Sequence, residues 1–79
     1  MKQFGEWLFR KIARKGITQA VFARAIDCSE SNLSDIVNGR RFPSTEKLKV
    51  IFDYFGCDSA EQKTALHLMF LDKGDNEKF

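Results

Sequence analysis

Apolar side chains recur at helical spacing in five runs along this chain, each bounded by a glycine or by a small polar residue suited to starting a helix. Phe4, Leu8 and Ile12 stand at i, i+4 and i+8 with Trp7 beside them, predicting a helix over 4–15 that stops at Gly16. Phe22, Ala23 and Ile26 mark a second run over 19–26, with Thr18 as its N-cap. Leu33, Ile36 and Val37 mark a third over 29–37, opened by Ser29 and ended by Gly39. Ser44 or Thr45 caps a fourth, whose Leu48, Ile51, Phe52 and Phe55 run to Gly56. Ser59 to Gln62 matches the S-x-x-Q capping box and opens a fifth helix expected to end near Asp72, before Gly74. Four of the five glycines thus fall where a run ends, and no strand-like alternation occurs. The pattern predicts an all-α, five-helix bundle over residues 1–73, with 74–79 as a polar tail that frays.

The second and third runs carry the functional signal. They are short, Ala23 is small enough to let another helix pass close, and the two lie on either side of Asp27, Cys28 and Ser29. Such spacing, with one residue able to adopt positive φ, makes a helix-turn-helix whose second helix can enter a DNA major groove. At 100° per residue, Leu33, Ile36 and Val37 point inward, which leaves Ser31 and Asp35 outward, flanked by Asn32, Ser34 and Asn38. That outer face is wholly polar and able to hydrogen-bond.

Composition narrows the alternatives. Seventy-nine residues make one domain with one core. The net charge is only +2, but residues 1–15 carry five cations against Glu6, whereas residues 57–79 carry five acids against three lysines. One end favours a polyanion and the other avoids it. No run approaches the roughly 18–20 apolar residues of a membrane span, and the start lacks a signal-peptide core, so a cytoplasmic protein is expected. Cys28 and Cys57 have no CxxC spacing and no histidine at ligand distance, so neither a metal site nor a disulfide is expected. His67 reads as a packing or surface residue. Nothing calls for a cofactor or small-molecule ligand, and no nucleophile–base pair or phosphate loop suggests an enzyme.

The fifth helix is too apolar for one buried stripe: Ala65, Leu66, Leu68, Met69, Phe70 and Leu71 surround most of it. Leu68, Met69, Phe70 and Leu71 are therefore expected to meet a second copy, the competing reading being that they close the core. Phe42 and Phe79 add to the surplus of large apolar side chains.

Three segments together resemble the Cro/repressor helix-turn-helix family, often called XRE: Thr18-Gln19-Ala20-Val21-Phe22-Ala23, then Ser29 to Gly39, then Arg40-Arg41-Phe42-Pro43-Ser44. The likeness covers about residues 4–56. It implies a lambda-repressor-like five-helix bundle with helices 2 and 3 as the motif. The implied function is a sequence-specific transcriptional regulator, a repressor of phage or bacterial type, binding a pseudo-palindromic operator in double-stranded DNA as a homodimer. By matching positions, Glu30, Ser31 and Asp35 would reach base edges, with Ser29 and Asn32 serving bases or phosphates. Gln19, Asn38, Arg40 and Arg41 would hold the backbone.

The chain departs from the family pattern in three places. Asp27 replaces the usual turn glycine, and Asp tolerates the left-handed region better than most residues. Ile12 and Val37 stand where many members place a buried Arg–Glu pair, an exchange that keeps the packing. Glu30 and Asp35 place two negative charges on a helix that should approach phosphates; between Ser29 and Arg41 they cancel Arg40 and Arg41. Affinity then depends on the arginines, the basic first helix and the pairing of two half-sites. An alternative of a different class is a protein-interaction module of the same fold that binds another regulator instead of DNA.

Overall fold

The computed structural model describes the backbone of residues 2–76 and the side chains of residues 2–74. Five helices follow one another: α1 (Gln3–Lys15), α2 (Gln19–Ala25), α3 (Glu30–Val37), α4 (Thr45–Phe55) and α5 (Ser59–Asn76). No strand occurs among the described residues.

Three helix starts follow from the residue immediately before them. Thr18 Oγ1 accepts from the Val21 N–H at 3.1 Å, Ser29 Oγ from Asn32 at 3.1 Å, and Ser44 Oγ from Lys47 at 3.1 Å. Each hydroxyl satisfies one backbone donor that the helix itself leaves unpaired, a contribution of about 1 kcal/mol. The start of α5 differs from expectation: Asp58, not Ser59, is the cap, its Oδ1 accepting from the Glu61 N–H at 2.8 Å. Gln62 reaches back to the Cys57 carbonyl instead of a cap N–H. A carboxylate at the positive end of a helix dipole is a stronger acceptor than a serine hydroxyl, which accounts for the one-residue shift.

The end of α5 also differs. The helix does not stop near Asp72 but continues through Gly74 to Asn76. A glycine inside a helix costs only about 1 kcal/mol, too little to end one whose preceding turns are already docked. Residues 77–79, including Phe79, lie outside the described residues.

The core gathers one stripe from each helix: Phe4, Leu8 and Ile12; Phe22, Ala23 and Ile26; Leu33, Ile36 and Val37; Leu48, Ile51 and Phe52; Ala65 and Met69. Phe55, the last residue of the fourth apolar run, is only partly buried and packs against this core, as does Ile17. Aromatic rings tie the layers together. Trp7 stacks on Phe4 at 5.6 Å and meets Phe52 edge-on at 6.4 Å, while Phe22 stacks on Phe55 at 5.1 Å. Burying such a side chain contributes roughly 1.5–3 kcal/mol, so these stripes supply most of the force that closes the bundle.

Two residues fix how α1 sits in this frame. Asp72 on α5 is 1% exposed, and its two oxygens accept from the Gln3 and Phe4 N–H groups at 3.1 and 2.9 Å. It thereby caps α1, whose own N-cap residue Lys2 supplies no side-chain bond. Gly5, one residue further on, is where α1 crosses α3: a β-carbon there would overlap the Val37 carbonyl oxygen and stand 2.7 Å from its carbon. Only a residue without a side chain permits that approach.

Candidate nucleic-acid interface

The helix-turn-helix begins with packing. Ala23 of the first helix, Ile26 at its C-cap and Leu33, Ile36 and Val37 of the second are buried in one cluster, so the pair has a fixed mutual orientation. Between them Asp27 takes φ 56°, the left-handed conformation expected of the residue standing in for glycine. The Cys28 N–H returns to the Ala23 carbonyl at 2.8 Å, which closes the end of α2.

A further clamp on this turn comes from α4. Lys47 Nζ donates to the Ile26 carbonyl at 2.7 Å and to the Asp27 carbonyl at 2.9 Å. An ammonium group placed at the negative end of α2 satisfies two carbonyls the helix cannot pair and favours its dipole. No pattern of apolar residues reveals this role, because Lys47 reads as an ordinary solvated position on α4.

α3 presents the polar face that the counting predicts. Glu30 and Ser31 are exposed, while Asn32, Ser34 and Asp35 are half-buried. Ser29 is exposed, but its hydroxyl oxygen is occupied as the cap acceptor, leaving its O–H as the available donor. Just past the helix, Asn38 Nδ2 donates to the Ser34 carbonyl at 2.9 Å and lies 3.3 Å from the Ser34 hydroxyl, which pins its side chain against the last turn. Gly39 follows at φ 81°, and the stem of Lys2 covers it so closely that a β-carbon there would stand 2.9 Å from Lys2 Cβ and overlap Cγ.

Arg40 and Asp35 are paired with each other. Arg40 Nε lies 3.0 Å from Asp35 Oδ1, the arginine 63% and the carboxylate 31% exposed. The Asp35 carbonyl accepts from the Arg40 and Arg41 N–H groups at 2.8 and 3.3 Å, so the backbone holds both arginines beside this acid. The repulsion expected between Asp35 and a phosphate is thus partly cancelled within the protein, and Arg40 carries less free charge than its position suggests. Arg41 is exposed, and Gln19 is half-buried at the start of α2.

The structure separates the four residues expected at a dimer contact. Met69 is buried in the subunit's own core and Leu68 packs against it, which removes Met69 from any outer face. Phe70 is 72% exposed, and Leu71 and Leu66 are also exposed. Leu66 and Phe70, four residues apart, form the outward apolar stripe of α5; Leu66 was not among the expected four.

Cys28 and Cys57 are free thiols. Burial first, and then the Glu61 carboxylate, push the Cys57 thiol up from its ordinary range. Among the described residues no cluster of His, Cys, Asp and Glu could hold a metal ion, and no helix is long and apolar enough to cross a membrane. His67 is exposed.

Searches of the curated proteins and of the solved structures gave no match. A family model described as a helix-turn-helix domain matches residues 8–65, spanning the last two turns of α1, the whole α2–α3 pair, α4 and the first turns of α5. The chain therefore belongs to this family of XRE/Cro-like helix-turn-helix domains, the DNA-binding domains of regulators.

Proposed function

We propose that this protein is a transcriptional regulator, a repressor of phage or bacterial type, that reads a pseudo-palindromic operator as a homodimer by placing α3 in the major groove. The observation that carries the reading is the outer face of α3. Ser31 and Glu30 are exposed and Asp35 is accessible on a helix whose opposite side is locked into the core. A rigid helix with a polar, accessible face beside two arginines suits base-edge contact, because the bases are read only by groups held in register.

In this reading Ser31, Glu30 and Asp35 meet base edges, with Ser29 and Asn32 serving bases or phosphates. Carboxylates accept from cytosine N4, and hydroxyls serve either kind of edge, so the helix favours C·G pairs at the positions its acids reach. Gln19, Asn38, Arg40 and Arg41 hold the sugar–phosphate chain. A second copy docks on α5 through Phe70 and Leu71, joined by Leu66, with Leu68 at the margin. The subunit measures 36 × 28 × 22 Å. In a symmetric dimer of this kind the two α3 helices read half-sites about one helical turn, roughly 34 Å, apart. Repression follows from occupying the operator, and no cofactor or catalytic step is required. A DNA-binding role of this kind is exercised in the cytoplasm.

Selecting duplexes from a random pool, then measuring binding at 50 and 200 mM salt by fluorescence anisotropy, tests the reading. A selected palindrome and a steep loss of affinity with salt are expected. Failure to bind any duplex at low salt favours the second reading, a protein-interaction module of the same fold. The Arg40–Asp35 pair is the observation on its side, since it neutralises one of the two cations that follow α3.

A further inference from the structure

The first turn of α1 is held on two sides. On one side the Asp72 carboxylate, buried and without any side-chain partner among the described residues, takes the Gln3 and Phe4 N–H groups. On the other, Gly5 lies against the Val37 carbonyl and the Lys2 stem lies over Gly39, the two positions that flank Asn38. The last turn of α3 therefore rests on the α1 segment that α5 fixes. Its own bonds are short-range: Asn38 N–H to Ser34, Gly39 N–H to Ile36 and Arg40 N–H to Asp35. None of these bonds ties the end of α3 to the bundle, which is held instead by the burial of Ile36 and Val37 and by the α1 contacts at Gly5 and Lys2.

We infer that Asp72 is a positioning residue for DNA binding: by clamping the start of α1 it sets the C-terminal turn of α3 and hence the placement of Asn38, Arg40 and Arg41. The inference deepens the proposed function and rests on it for the DNA consequence, but its mechanical part concerns the protein alone. It also gives α5 two roles, since the helix whose Phe70 and Leu71 face outward carries, at the next position, the carboxylate that reaches α1. Contact made on the outer face of α5 is thereby linked to the phosphate-facing end of α3 through one side chain and one helical turn.

The test compares amide hydrogen exchange and duplex affinity in two variants. Asp72→Asn keeps the shape of the side chain but replaces one of its two acceptor oxygens with a donor and removes the charge. Gln3→Pro deletes a single N–H donor at a helix position where proline is well tolerated, and leaves the carboxylate untouched. Asp72→Asn is expected to speed exchange at Phe4 and also at Asn38, Gly39 and Arg40, by about threefold to tenfold. The Cys28 and Cys57 amides, bonded to Ala23 and Phe52 at the ends of α2 and α4, should keep their protection. Affinity for the selected duplex should fall by about the same factor, and Gln3→Pro should give a smaller change in the same sense.

Faster exchange at Phe4 with unchanged protection at 38–40 would overturn the inference, leaving Asp72 as a cap of α1 alone. Uniform loosening that includes Cys28 and Cys57 would overturn it as well, because it reports only lost global stability. Should Asp72→Asn fail to fold, the same comparison is decided by Gln3→Pro. Should the unaltered protein bind no duplex, the functional reading fails while the exchange data still decide the clamp.

Discussion

In the α2–α3 pair each helix is started by the residue directly before it, Thr18 or Ser29, whereas α1 is started by Asp72, 68 positions beyond the Phe4 amide it holds. The two regions solve the same problem, unpaired N–H groups at a helix start, with local chemistry in one case and tertiary chemistry in the other. A local cap forms as soon as its own helix does. A cap delivered by another helix exists only when the bundle is closed, so it reports on the whole fold and not on one segment. The helix-turn-helix pair is thus largely self-defined in shape, while its placement relative to the rest depends on α1 and α5.

The largest expected effect tests the part both regions share. Phe22 is fully buried and stacks on Phe55, so Phe22→Ala should cost about 3–5 kcal/mol in urea-induced unfolding and remove most of the stability of so small a domain. A loss under about 1 kcal/mol would mean that the α2–α4 contact is not part of the main core.

Gly5→Ala comes next and separates the regions. On propensity alone alanine stabilises a helix interior by about 1 kcal/mol over glycine. Here its β-carbon meets the backbone of Val37, which cannot move aside as a flexible side chain would, so a net loss of about 1–3 kcal/mol is expected from the same measurement. A stabilised variant would show that α1 and α3 can part without penalty.

The contrast explains how much could be read from the chain. The five helices, the outward face of α3 and the left-handed Asp27 were legible because each depends on residues within one or two turns. The S-x-x-Q pattern points to Ser59 as the cap of α5, yet Asp58 beside it is the better acceptor. Asp72, Lys47 and Gly5 were not legible, for a common reason: each acts on backbone atoms of a distant element, and backbone atoms leave no trace in a sequence pattern. An acid among the apolar residues of α5, and a glycine inside a helix that does not break it, are the only hints the letters offer. The Arg40–Asp35 pair is intermediate. Both residues were expected in the interface, but their pairing depends on the turn that Gly39 makes between them.

Lys47 offers a sharper test within the helix-turn-helix. Lys47→Met keeps most of the stem and removes the ammonium that holds the Ile26 and Asp27 carbonyls. A loss of about 1–2 kcal/mol is expected, together with faster exchange of the Cys28 amide, since charge-assisted bonds of this kind exceed ordinary ones. An unchanged Cys28 amide would show that Asp27 holds the turn without help from α4.

The smallest effect on stability carries the most information about function. Asp35→Asn should change unfolding by less than about 1 kcal/mol, because the pair with Arg40 is accessible to solvent. Binding should respond more. Freed from its carboxylate, Arg40 faces a phosphate with full charge, so affinity for any duplex rises and the slope of log affinity against log salt steepens by about one. Arg40→Ala should move both quantities the other way and weaken all duplexes about equally. If Asp35 also meets a base, repeating the selection with Asp35→Asn changes the preference at one position per half-site and leaves the others alone. A salt slope that ignores both substitutions would mean that Arg40 never meets a phosphate, and the backbone grip would then rest on Arg41 and the start of α2.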